Sequence, residues 1–267
     1  MPLWEHLATT DFAALDPERT VAVLPVSAIE QHGPHLPLGT DAILCDAMLD
    51  RAISLLAGPA WLLRLPTQRV GLSPEHATFA GTLTLGIEAL LTAWTGIGLS
   101  VAAAGVRKLV LFNSHGGQGS VVDLAAQALR CRTGMLVVRC SSYRFALPAG
   151  WVPAEEARYG LHGGLVETSM MLAAAPDLVR PAAVRSFRSR ASEWEKAVPG
   201  LEVEGESAVA WVAEDLNTSG ATGDASAATA ELGERLLDHY AARLAGVIDA
   251  ASRFDFPPAQ PSAGSSR

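Results

Sequence analysis

Four residues able to bind cations crowd into twelve positions of the segment LPVSAIEQHGPHLPLGTD at 24–41: Glu30, His32, His35 and Asp41. Glu30 and His32 are two apart, so in extended backbone both side chains leave on the same side. Asp41 opens a stretch that reads as a helix, where a carboxylate also sits well against the helix dipole. A carboxylate that bridges two cations, flanked by a Glu and a His, suits a pair of hard or borderline metal ions. Such a pair can hold and ionise a water while polarising a carbonyl. The plainer alternative is that Glu30 caps or pairs locally and that both histidines are ordinary loop residues. Four such groups between Pro- and Gly-fixed turns, after a buried strand, favour the metal.

Two further segments carry the same residue types. Asn113-Ser114-His115-Gly116-Gly117-Gln118-Gly119 follows another apolar run, and its glycines permit close backbone approach and left-handed turns. A turn between strand and helix could cradle phosphate. This one lacks the Lys-Ser/Thr ending of a P-loop and is not placed as a dinucleotide fingerprint. A histidine held at a strand end fits a ligand role instead. In His162-Gly163-Gly164-Leu165-Val166-Glu167, the acid lies five residues after the histidine, at the start of an apolar helix. Glu167 is either a cap or, beside the other clusters, a ligand or general base, with His162 as a proton shuttle. Glu75-His76 either lines the same pocket or stands exposed, while His6 and His239 read as structural or surface residues.

The elements that must position these groups follow from the pattern of apolar runs. Residues 20–26 read as a buried strand and 41 to about 56 as a helix ending near Gly58-Pro59. Strands are expected at 60–65, 107–112 and 134–140, with a short one at 82–85, and helices at 87–104 and 120–131. Gly105 stands where a glycine C-cap would. Residues 185–206 read as a surface excursion, 224–253 as a closing helix and 257–267 as a disordered tail, leaving 1–256 as a single domain. Alternating strands and helices call for an α/β fold with a mostly parallel sheet covered on both faces. Ligands of such sheets sit beyond the carboxyl ends of the strands, which is where three of the four candidate loops carry unusual residues.

The 267 residues, 49% of them hydrophobic, are enough for one sizeable core. A net charge of −8 argues against nucleic acid or an anionic membrane as the main partner. No basic segment precedes an apolar run at the start, and no apolar stretch is long enough to span a bilayer. Cys45, Cys131 and Cys140 read as buried free thiols of a reducing cytoplasm.

Together the segments resemble the creatininase (creatinine amidohydrolase) family over nearly the whole chain. The resemblance rests on 24–41, SPEHATFAGTLTLG at 73–86, FNSHGGQG at 112–119, HGGLVETSMML at 162–172 and DLNTSGATGDA at 215–225, in that order. It implies a three-layer α/β/α sandwich, a homohexamer and two divalent metal ions per subunit, zinc with manganese or iron possible at one site. By position, Glu30, Asp41 and His115 would hold one ion, and His32 with a bridging Asp41 the other. In creatinine-hydrolysing members the second ion also takes a glutamate where this chain has Gly117, so Glu167 is the carboxylate left to complete it. Trp151 is the nearest counterpart of their substrate-packing tryptophans, and Glu75, His76, Gly116 and Gly117 would line the substrate.

The chemistry this implies is attack of metal-bound hydroxide on a small amide, open-chain or cyclic. Backbone N–H groups near Gly116 and Gly117 would hold the oxyanion, and His162 would protonate the departing nitrogen. The family also includes formamide deformylases acting on a pyrimidine nucleotide and peptidases that trim the mycofactocin precursor. A rival of another class is a catalytically silent metal-binding assembly protein. Gly117 favours it; the joint presence of His162 and Glu167 disfavours it.

Overall fold

The computed structural model describes residues 3–57 and 61–257. Four parallel strands form the centre: β1 (Val21–Val26), β2 (Leu62–Arg64), β3 (Lys108–Asn113) and β4 (Leu136–Ser141), in the order β2-β1-β3-β4. Between them run α1 (Thr40–Ser54), α2 (Ile87–Ala103) and α3 (Gly119–Thr133). All six residues of β1 and of β3 are buried, as expected for strands covered on both faces. Proline is unusual in a central strand because it cannot donate to the ladder. At Pro25 nothing is lost: the β2-facing bonds of β1 run through Val23 and Pro25 carbonyls to Leu65 and Gln68, beyond the end of β2.

The remaining elements are α4 (Ala154–Tyr159), α5 (Leu165–Ala174), β5 (Ser186–Phe187), α6 (Ala191–Ala197), α7 (Ala213–Leu216), β6 (Gly223–Asp224) and α8 (Ala230–Arg253). Alternate residues of the strands feed two cores. Val21, Val23, Val110 and Phe112 pack with α1, α5 and α8, while Ala22, Leu24, Leu109 and Leu111 pack with α2 and α3. The result is helix layer, sheet, helix layer. Fully buried side chains such as Phe112 and Trp94 each contribute on the order of 2–3 kcal/mol of gross apolar burial.

Most expected elements are present within two or three residues, with differences that have local causes. Residues 82–85 form no strand; a single bridge from Leu83 to Ile29 ties the second loop to the first, and one from Thr84 to Gly71 closes the second loop on itself. The closing helix begins at Ala230, because the Thr229 side chain accepts from Leu232 N and caps it, while Asp224 belongs to β6. The 185–206 excursion pairs antiparallel through β5 with β6 and builds a small cluster around Ala191, Val203 and Leu216. Cys45 and Cys140 are buried, their thiols pushed up to about 12 by burial. Cys131, expected to be buried, is exposed on α3. Among the described residues no helix is long and apolar enough to cross a membrane. The expected end of α1 at 58–59 and the tail at 258–267 lie outside the described residues.

The order β2-β1-β3-β4 has its switch point between β1 and β3, where successive connections leave in opposite directions and open a crevice at the carboxyl ends. The loops that leave β1 and β3 at that point carry Glu30, His32 and His115.

Candidate metal centre

The loop after β1 is held on several sides. Leu83 N donates to Ile29 O, Glu30 N to Leu38 O, and Gln31 N to Thr82 Oγ1. The buried Gln31 amide works as a bracket: its Nε2 donates to Gly220 O and meets His76 Nδ1, both at 2.8 Å, and its Oε1 accepts from Gly33 N. Gly33 has φ 72°, and a Cβ there would come within 2.7 Å of Ala221 Cβ, so only glycine fits this turn. At the end of β3, the Asn113 side chain clasps His115 through both its backbone N–H and its carbonyl.

Backbone carbonyls select which imidazole nitrogens turn inward. His32 Nδ1–H donates to Glu30 O (3.1 Å), and His115 Nε2–H donates to Leu72 O (2.8 Å). The opposite nitrogens then face carboxylates: His32 Nε2 lies 3.4 Å from Asp41 Oδ1 and 3.8 Å from Glu167 Oε1. His115 Nδ1 lies 3.2 Å from Glu30 Oε1 and 3.3 Å from Asp41 Oδ2. This is how a histidine ligand is commonly oriented, with its outer N–H tied to a carbonyl. His162 Nε2–H donates to Gln31 O at 2.5 Å, leaving Nδ1 facing Glu30 Oε1 at 3.8 Å. Its ring is sandwiched between His32 and His76, with centroids 4.1 and 4.2 Å away.

The acids come from four separate elements. Asp41 opens α1, and Glu167 lies in the first turn of α5, where its Oε2 accepts from Gly163 N. Glu75 Oε1 lies 3.6 Å from His115 Nε2, and His76 Nε2 lies 3.6 Å from Glu30 Oε1. Among the described residues, no Lys or Arg pairs with Glu30, Asp41, Glu75 or Glu167. Burial lowers His32, but Asp41 and Glu167 outweigh it and hold the imidazole well above its usual range; Glu30 and Asp41 do the same for His115 despite its burial. Asp41 is resisted by burial yet held far below the usual carboxylate range by His32 and His115.

Whether divalent ions fit can be read from what is left over. Glu30 Oε2, His32 Nε2 and Asp41 Oδ2 are buried without a hydrogen-bond partner. Buried unpaired polar atoms and uncompensated carboxylates are costly, and cations held between them offset that cost. Two sets of donors, Glu30/Asp41/His115 and His32/Asp41/Glu167, each have ligand atoms within 4.8 Å of one another and share Asp41. The residues present fit a metal pair.

Other residues singled out from the sequence fall differently. His35 is turned away: its Nε2 lies 3.0 Å from Gly163 O and 2.9 Å from Thr168 Oγ1, and its ring stacks on Phe187. Trp151 is not brought to the cluster; it packs edge-on to His239 and beneath Arg235 of α8. Gly116 and Gly117 are exposed at the end of β3. A Cβ on Gly117 would lie 2.8 Å from His115 Nε2. That nitrogen is the outer one of the ring, held by Leu72 O. Gln31 and Thr222, whose N–H donates to His162 O, were not anticipated as site-building residues. A glutamine flanked by two candidate ligands was the available signal for the first; Thr222 carried none.

A buried acid–histidine cluster at the switch point of a parallel sheet defines an α/β protein with a candidate divalent-metal centre. The sequence model of the creatininase family, creatinine amidohydrolase, matches residues 5–248, and the chain belongs to that family. It is 31% identical over 242 residues to the mycofactocin precursor peptide peptidase of Mycobacterium ulcerans, covering 88% of this chain and 87% of that one. It is 32% identical over 177 residues to the creatinine amidohydrolase of Pseudomonas putida, covering 60% and 66%. A manganese creatininase superposes with a TM-score of 0.75 at 25% identity, over 94% of this chain and 99% of the other. The chain is a hydrolase acting on carbon–nitrogen bonds.

Proposed function

We propose that the chain is a two-metal amidohydrolase in which Asp41 bridges the ions, Glu30 and His115 complete one set and His32 and Glu167 the other. The observation that carries this reading is the pair of donor sets sharing Asp41, with unpartnered buried atoms in both. Zinc, manganese or iron suits such ligands. When bound, the ions supply an ionised water and a polarised carbonyl at neutral pH. The chain's own part is orientation and proton movement. His162, its Nε2–H fixed on Gln31 O, presents Nδ1 inward; there it accepts a proton from the attacking water and returns it to the departing nitrogen. Gly116 and Gly117 are exposed at the end of β3, and their backbone N–H groups are the donors this reading assigns to the carbonyl oxygen as it gains charge.

The amide in this reading belongs to a peptide. Relatives matched along 87% of their own length bear the name of a precursor-peptide peptidase, whereas the creatinine amidohydrolase matches over a shorter stretch. Trp151, the one residue suggested for packing a flat cyclic substrate, is engaged elsewhere. The homohexamer belongs to the same proposal, with exposed Leu83, Leu85 and Ile87 along one segment as apolar surface for self-association.

The test is Asp41→Ala with metal analysis and turnover on creatinine, formamides and short peptides. Loss of about two ions and of turnover is expected, with the wild type active on peptides. Retention of both ions sinks the bridging role, and wild-type turnover of creatinine alone sinks the peptide.

A further inference from the structure

We propose that His76 contacts the substrate, its Nε2–H being a fixed donor to the amide carbonyl oxygen, and that the Gln31 side chain puts the hydrogen on that nitrogen. This rests on the amidohydrolase reading of the site. The Gln31 amide has one orientation that satisfies its neighbours. Gly33 N–H needs an acceptor and Gly220 O needs a donor, each at 2.8 Å, so the amide oxygen faces Gly33 and the nitrogen faces Gly220. The second N–H of that nitrogen then donates to His76 Nδ1, also at 2.8 Å. A neutral ring that accepts at Nδ1 carries its hydrogen on Nε2. Gly220, at φ 83°, leaves room for this bracket, because a Cβ there would strike Gln31 Oε1.

The same glutamine sets the neighbouring ring the other way. His162 Nε2–H donates to Gln31 O, so His162 turns a bare Nδ1 inward. The two rings stack, with centroids 4.2 Å apart and planes at 22°. One stack therefore presents a donor beside an acceptor, His76 Nε2 lying 3.6 Å and His162 Nδ1 3.8 Å from the same oxygen, Glu30 Oε1. At 3.6 Å the His76 N–H is not hydrogen-bonded to Glu30. The side chain is buried, and among the described residues its one hydrogen-bond partner is Gln31, at the other nitrogen. A buried donor held open in this way wants an acceptor. Glu30, Glu75 and His76 lie close enough to hold an ion, but a ring nitrogen that bears hydrogen is not a ligand; it suits an oxygen. Amide hydrolysis supplies both partners of the stack: the carbonyl oxygen accepts from His76, while the attacking water gives its proton to His162. His76 keeps its own hydrogen, polarising the carbonyl as a neutral donor.

The experiment compares wild type with His76→Phe, which keeps a flat ring against His162 without the N–H, and His76→Gln, which restores a donor. A fourth protein, Gln31→Glu, offers Nδ1 an acceptor in place of a donor. Nitrogen-15 spectra of histidine-labelled, metal-free protein read the tautomer, the His76 signal being the one lost in the His76 variants. Wild type should show hydrogen on Nε2, and Gln31→Glu should show it on Nδ1. Metal content after dialysis, kcat and KM on short peptides, and folding by circular dichroism are measured on all four. His76→Phe should hold both ions and lose kcat by roughly a hundredfold or more, with KM little changed. His76→Gln should recover part of that loss, and Gln31→Glu should lose kcat as well. A wild-type ring with its hydrogen on Nδ1 overturns the proposal, and so does full kcat in folded His76→Phe. Loss of an ion from His76→Phe makes the ring a brace for Glu30 and overturns it too. If His76→Phe does not fold, full kcat in folded Gln31→Glu has the same force. If wild type takes up fewer than two ions or turns over no amide, the reading of the site falls and takes the proposal with it.

Discussion

At the scale of single residues, the centre is organised by the hydrogen bonds that point each ring. His32 and His115 tie one nitrogen to a carbonyl and offer the other to carboxylates. His35 shows the opposite outcome from the same loop. Its Nε2–H is taken up by Gly163 O, while its Nδ1 is buried without a partner. A second proton would add an unsatisfied charged N–H, and burial, the largest cause, lowers the group from 6.5 to about 4. The unfolded chain then binds one proton more between those values, so stability rises with pH across that window and is lost on acidification. The effect is at most about 3 kcal/mol. His32 and His115 act with the opposite sign, so the check is a difference: urea unfolding of metal-free wild type and His35→Gln from pH 7 to 4. The wild type should lose more stability than the variant over that interval; parallel curves would contradict the assignment.

At the scale of elements, the segment carrying His162 and Glu167 depends on a buried acid outside the centre. Glu156 on α4 accepts from Leu165 N at the start of α5 (2.7 Å) and from Asp224 N on β6 (2.8 Å). Gly160, Gly164 and Gly223 surround its carboxylate, and a Cβ on any of them would strike Glu156 Oε1. Glu156 therefore fixes where α5 begins and how its first turn meets the bridge from His162 to Thr222. Glu156→Gln keeps the shape but turns a donor toward one of those N–H groups, at a cost of about 1–3 kcal/mol. A lower Tm and a fall in kcat with both metals retained are expected, read from thermal melts, turnover and metal analysis. Elements such as α1, α2 and β3 were legible because each is a sustained apolar run bounded by turn residues. The helix α4 and the two-residue strands β5 and β6 were not, being too short to carry a period.

At the scale of the molecule, acids from α1, α5 and the loops after β1 and β2 converge with no Lys or Arg among the described residues to pair them, so metal binding and folding are linked. Ions held only by the folded chain stabilise it by about 2.7 kcal/mol at one hundred times Kd, and chelation should lower Tm accordingly. Because His32 and His115 are raised in the metal-free chain, ions displace protons, and affinity should weaken as pH falls. Calorimetry in buffers of different ionisation enthalpy reads the released protons. A metal uptake that releases none would contradict the ligand assignment.

The sequence by itself determined which residue types stand at the ends of β1 and β3, and therefore that a cluster of acids and histidines opens at the switch point of a parallel sheet. Those features are local: an apolar run, a glycine turn, the spacing of Glu30, His32 and Asp41. Only the tertiary structure decided that Glu167 faces His32, that Trp151 packs on α8, and that Glu75 occupies the space beside Gly117. Each of those contacts joins residues from 42 to 135 positions apart. Their meeting is set by how crossover helices and loops dock on the sheet, which no local spacing encodes.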